Sequence, residues 1–168
     1  MLQDDEFEYC VRKYRKAVFG AALCYVKNPG DADDIAQEVF MKLYTYTGSF
    51  DSEEHVRAWL MKCAVNLGKS LLRSYWHRNS APLETAGEMP APDTSETGLP
   101  ELLNKLSRKN RAAMYLHYYA GYSAGEIAQI LGTSESAVMA RLSRGRKQLR
   151  AMMTDERNES NDGLQKYI

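Results

Sequence analysis

Cysteine and histidine are scarce in this chain of 168 residues, with three of each, and their scatter excludes two kinds of chemistry. Cys10, Cys24 and Cys63 stand too far apart for a disulfide framework or a CxxC knuckle, and read as small buried residues of a reducing compartment. His55, His77 and His117 share no ligand spacing such as HExxH, so neither a metal nor a cofactor site is expected. Long apolar runs are missing as well. The longest, Ala17 to Val26, has ten residues including Gly20, where a bilayer span needs about 20. The opening MLQDDEFEY carries acids where an export signal needs bases, so a cytoplasmic location is expected. No paired carboxylates, nucleophile with a base, or glycine-rich phosphate loop suggests an enzyme or a small-molecule substrate. With 44% hydrophobic residues the chain can still build a packed core.

A net charge of zero conceals a strong segregation. Residues 1–80 balance eleven bases against eleven acids. Residues 81–100 have no base and four acids, Glu84, Glu88, Asp93 and Glu96, whereas residues 101–153 carry nine bases against three acids, a net of +6. A basic module beside an acidic strap points to a polyanionic partner for the module. Four of the five prolines fall in residues 80–100, which read as a flexible linker. The expected architecture is therefore all-α, with two small helical domains at 1–79 and 101–153 and a polar, frayed tail at 154–168. Apolar residues recur at three and four spacings in both domains, and no run alternates like a strand.

In the first domain a helix is predicted over Asp4 to Val26, ended by Asn28-Pro29-Gly30. A second should start at Asp31, whose carboxylate can cap it. Ile35, Val39, Leu43 and Tyr46 would share its core face, leaving Asp34, Gln37, Glu38, Met41 and Tyr44 outside as a mixed acidic and apolar surface suited to docking a protein. A third helix should run from about Glu54 to His77 on a core stripe of Val56, Leu60, Cys63, Ala64, Leu67 and Leu71. Its far side, Lys62, Asn66, Lys69, Arg73 and Trp76, contains no acid. Cations neutralise phosphates, an amide can read a base edge, and an aromatic ring can stack on an unpaired base.

In the second domain two short helices should hinge near Leu106-Ser107, with Ser107 as a cap, followed by the most specific pattern in the chain. Ser123-Ala124-Gly125-Glu126 forms a capping box ahead of Ile127, Ala128, Ile130 and Leu131, and Gly132 can end that helix. Thr133 can cap a longer helix from Ser134 to about Met152, with an inner stripe of Val138, Leu142, Gly145 and Leu149. Two helices about so tight a glycine turn read as a helix-turn-helix. Its second helix would present Ser136, Ala140, Ser143, Arg144 and Lys147 to a major groove, flanked by Met139 and Arg150, with Arg141 and Arg146 placed for phosphates.

The segments DADDIAQEVFMKLY, HVRAWLMKCAVNLGKSLLR and GYSAGEIAQILGTSESAVMARLSRGRKQLR resemble, in order and spacing, the polymerase-binding, promoter-melting and helix-turn-helix segments of extracytoplasmic-function (ECF) sigma factors of bacterial RNA polymerase. The resemblance spans residues 5–152 and implies a transcription initiation factor with three surfaces. Asp34, Gln37, Glu38 and Met41 would dock on core RNA polymerase. Lys62, Asn66, Lys69, Arg73 and Trp76 would engage the −10 element and its melted single strand. Ser136, Met139, Ala140, Arg141, Ser143, Arg144 and Lys147 would read the double-stranded −35 element. It also implies an anti-sigma factor as a partner. Ser70, Ser136-Ala137, Met139 and Ala140 depart from the residues common at those places, which bears on the −35 preference more than on the fold. A stand-alone helix-turn-helix regulator with a sensing or dimerising N-terminal domain would explain residues 101–152 and leave the 62/66/69/73 stripe without a task.

Overall fold

The computed structural model describes residues 2–26, 28–79 and 103–165, without the side chains of Asn79 and of 156–165. Six helices account for them, and no strand occurs among the described residues. The proposed linker, 80–100, lies outside the described residues.

Helix α1 (Asp4–Val26), α2 (Pro29–Tyr44) and α3 (Glu53–Asn79) pack against one another as the N-terminal block. The α1 limits match the pattern read from sequence. For α2 the cap is Asn28 instead of Asp31: its Oδ1 accepts from the Gly30 and Asp31 amides at 2.8 and 3.4 Å, with Pro29 in the first turn, where its missing N–H costs nothing. Ser52 caps α3, accepting from the His55 amide at 3.1 Å. Val18, Val39, Leu43 and Leu60 are fully buried where the three helices meet. Each such side chain contributes about 1.5–3 kcal/mol on leaving water. Tyr46 lies beyond α2 and packs on Phe50 and Trp59, because the helix stops before that position.

In the C-terminal block, α4 (Arg108–Met114) continues as a π-helical turn at Tyr115–Tyr119. Ser107 sits at its start but makes no side-chain capping bond. Then follow α5 (Ala124–Leu131) and α6 (Glu135–Gln165). The capping box forms in full, with Glu126 N–H on Ser123 Oγ at 3.2 Å and Ser123 N–H on Glu126 Oε2 at 2.8 Å. Gly132 adopts φ 67°, the left-handed region that favours glycine, and Thr133 N–H reaches back to Ala128 O at 3.0 Å. Ser134, one residue after the expected Thr133, caps α6 through the Ala137 amide at 3.1 Å. The inner stripe of α6, Val138, Leu142, Gly145 and Leu149, is buried as its spacing predicts. The helix runs past Met152 to Gln165, since no proline interrupts the polar segment expected to fray.

The two blocks do not bury their faces separately. One apolar cluster runs from Cys10 to Leu149 through both. This accounts for the largest departure in α3, where Met61, Val65 and Leu72 are buried while Cys63, Leu67 and Leu71 are only half-buried. Val65 lines the same small gap as Ala112, Tyr115 and Leu116, so this side of α3 serves the second block.

Candidate nucleic-acid interface

Helix α6 is held on its scaffold by a close approach. A Cβ at Gly145 would stand 2.6 Å from Met114 Cγ, so only glycine allows α6 this near to α4. With the inner face fixed, Ser136, Met139, Ser143, Arg144 and Lys147 are exposed, while Ala140 and Arg141 are half-buried. Met139 is 58% exposed, a high value for an apolar side chain beside three such polar neighbours. Arg146 turns aside, donating to Tyr118 Oη at 3.1 Å.

On α3, Lys62, Asn66, Arg73 and Trp76 lie exposed on one side as the spacing requires, and the Trp76 ring is 51% exposed. Lys69 is placed differently. Its Nζ donates to the Leu131 carbonyl at 2.8 Å, closing the C-terminal end of α5, where a cation complements the helix dipole. Burial first, and then the neighbouring Arg141, Arg73 and Lys109 cations, hold its ammonium below the ordinary lysine value.

On α2, Asp34, Gln37, Glu38 and Met41 are all exposed, with Met41 at 61%, and Tyr44 completes the surface against Phe7. Arg15 of α1 pairs with Asp33 beside it at 3.6 Å, leaving Asp34 outside the pair.

Several residues that join the blocks carried no signal in the sequence. Arg111 is 2% exposed, and its Nε and Nη2 donate to Cys24 O at 3.1 and 3.0 Å, capping the last turn of α1. Its third contact is Asn104 O at 3.3 Å, and burial lowers its proton affinity. Tyr115 donates to Ala17 O at 3.0 Å over Gly20, where any side chain would strike the phenol ring. Arg57 lies 4.4 Å from the centre of the Tyr122 ring. Arginine reads as a surface residue, and only the facing block shows that Arg111 is interior. Burial pushes the Cys24 thiol up to about 12, which leaves it unreactive. Among the described residues no cluster of possible metal ligands occurs, and no helix is long and apolar enough to cross a membrane.

Comparison with known proteins decides the family. The model described as Sigma-70 region 2 matches residues 10–78, and that described as Sigma-70, region 4 matches residues 98–149. The chain is 31% identical over 171 residues to the ECF RNA polymerase sigma factor SigW of Bacillus subtilis, with 90% of each chain covered. The chain belongs to the ECF sigma factors. The sigma factor's fold is similar to that of RpoE in complex with the anti-sigma factor NepR from Bartonella quintana, at TM-score 0.73 and 24% identity over 89% of this chain and 97% of that one. It is also similar to CnrH, a sigma factor of Cupriavidus metallidurans solved with the cytosolic domain of CnrY, at TM-score 0.65 and 28% identity over 91% and 90% of the two chains. A stand-alone helix-turn-helix regulator is not favoured, because the N-terminal block is itself a sigma-70 region.

Proposed function

We propose that this ECF sigma factor divides its work among three surfaces, with residues 1–79 and 101–153 as its two working domains and 80–100 as the linker. The acidic and apolar side of α2, with Asp34, Gln37, Glu38 and Met41, docks on core RNA polymerase. The α3 stripe of Lys62, Asn66, Lys69, Arg73 and Trp76 engages the −10 element and retains its unpaired strand. The outward side of α6, with Ser136, Met139, Ala140, Arg141, Ser143, Arg144 and Lys147, reads the −35 element. The chain performs no covalent chemistry, acts in the cytoplasm, and has an anti-sigma protein as a further partner.

The observation that carries this reading is an acid-free stripe on α3 and a second cationic surface on α6 in one chain, with an uncharged approach at Ser136 and Ala137. Energy enters through differential binding. Opening promoter base pairs costs a few kcal/mol for each extruded base, offset by capture of the bases on α3. Each good base-edge contact from α6 contributes about 1–3 kcal/mol of discrimination. The apolar Met139 and the methyl of Ala140 suit a thymine methyl better than a guanine edge. Lys69 must leave the Leu131 carbonyl to reach a phosphate, exchanging one hydrogen bond of about 1 kcal/mol for a charge-assisted one.

Transcription from a promoter library with purified core polymerase tests the proposal. Specific start sites that depend on this chain are the expected result, and their absence with an otherwise active core enzyme would refute it. Arg144→Ala and Lys147→Ala should weaken promoter binding and leave retention on core polymerase unchanged.

A further inference from the structure

One contact of α6 belongs to none of the three surfaces. Arg146 falls two helical turns after Met139 and one before Arg150, so the three side chains share one edge of the outward side of α6. Beside that edge stands Tyr118 of the π-helical turn, 54% exposed, whose Oη accepts from Arg146 Nη1 at 3.1 Å.

The turn that presents Tyr118 is supported from behind. Ala120 N–H reaches Tyr115 O at 3.1 Å, which widens the last turn before Gly121 takes φ 78°. The His117 ring stands nearly perpendicular to the Tyr118 ring, with centroids 4.8 Å apart. Its Nδ1 lies 2.8 Å from Tyr122 O, and since a carbonyl only accepts, that nitrogen carries the proton. Tyr122 is in turn buried, with Arg57 of α3 over its ring.

The pair has donors to spare. A guanidinium only donates, so the phenol oxygen is the acceptor and the phenol O–H remains to be given. Arg146 uses one N–H on Tyr118 and pairs with no carboxylate among the described residues. A bond between exposed side chains adds little to stability, but it restricts a long side chain in advance and lowers the entropy cost of meeting a ligand. A phosphodiester has two free oxygens, one for the phenol and one for the guanidinium.

We propose that Tyr118 and Arg146 form a phosphate clamp, in which the phenol holds the guanidinium in place and both donate to the backbone of the DNA duplex that α6 reads. The clamp rests on the proposed reading of α6 and adds to it a contact that sets the helix in its groove without sensing sequence. Tyr118 acts as a positioning residue for Arg146 and as a phosphate donor itself.

Duplexes recovered from a random-sequence pool by the full chain on core polymerase, and not by core polymerase alone, provide the assay, read as affinity over a range of salt. Tyr118→Phe, which removes one exposed oxygen, should weaken binding about fivefold, by the same factor for every recovered sequence, with Tm unchanged. Tyr119→Phe, at the neighbouring exposed phenol, should leave affinity unchanged. Arg146→Gln should lower the salt slope by about one, and in that background the loss from Tyr118→Phe should nearly vanish. An unchanged affinity for Tyr118→Phe would overturn the clamp, as would a loss confined to some sequences or an equal loss in both backgrounds. If Tyr118→Phe lowers Tm, the double-variant comparison still decides, because a destabilised chain loses the same factor whichever residue stands at 146. Recovery of no duplex at all would refute the reading of α6 together with the clamp, whereas duplex binding that Tyr118→Phe does not alter refutes the clamp alone.

Discussion

The two cationic surfaces of this sigma factor are held in different states of readiness. On α6 the proposed reading side chains Ser143, Arg144 and Lys147 face solvent, backed by a buried stripe that belongs to the same block. On α3 the stripe is divided. Lys62, Asn66, Arg73 and Trp76 are free to act, but Lys69 serves as a cap for the first helix of the helix-turn-helix. One surface therefore stands clear on its own block, while the other is tied to its neighbour through Lys69.

The largest effect should come from breaking the seam that causes this difference. Arg111→Ala leaves the Cys24 carbonyl at the end of α1 and the Asn104 carbonyl without this partner and opens a cavity between the blocks, and should lower stability by about 3 kcal/mol in urea unfolding. Next come the reading surfaces themselves. Arg144→Ala and Lys147→Ala should each weaken promoter binding by about 1–3 kcal/mol at fixed salt if they contact base edges, or lower the salt slope by about one if they contact phosphates. Lys69→Ala should slow strand opening while leaving duplex −35 affinity unchanged, as permanganate footprinting and gel shifts would show. Ser123→Ala, which removes half of the capping box, should cost about 1 kcal/mol by thermal unfolding and leave the α3 surface untouched.

The smallest effect should appear only in acid. Glu53 pairs with Lys13 and also accepts from Tyr14 at 2.6 Å, so its carboxyl is held down at about 2. A depressed carboxyl contributes stability above its unfolded value of 4.5 and loses it as pH falls toward 2. Tm of the wild-type chain should fall more steeply than that of Glu53→Gln across this window, and the two curves should meet near its acid end. Parallel curves would remove this contact from the forces that hold α1 to α3.

The helices were legible where local chemistry punctuates them. Asn28-Pro29-Gly30 ends α1, the Ser123 to Glu126 box starts α5, and Gly132 turns the chain, because each acts through atoms within a few residues. Capping residues were displaced where a second capping residue type stood within three positions of the expected one, as with Asn28 and Asp31 or Ser134 and Thr133. The outward positions of α2 and α6 followed from period alone. The seam did not, because Met61, Val65 and Leu72 can be assigned to a second buried side of α3 only when a second block is known to cover it. Arg111 was hidden for a related reason: nothing local distinguishes an arginine that caps a distant helix from one in water.

Gly145 sets the reach of the molecule. Having no side chain, it lets α6 settle against Met114 and so determines how far the recognition surface stands out from its mount. A single added methyl there would act as a shim, tilting a helix whose proposed contact residues begin at Ser136, more than two turns away, so that a small displacement at the support grows toward the tip. Two variants with identical reading residues could thus prefer different promoters, through a difference in stance alone.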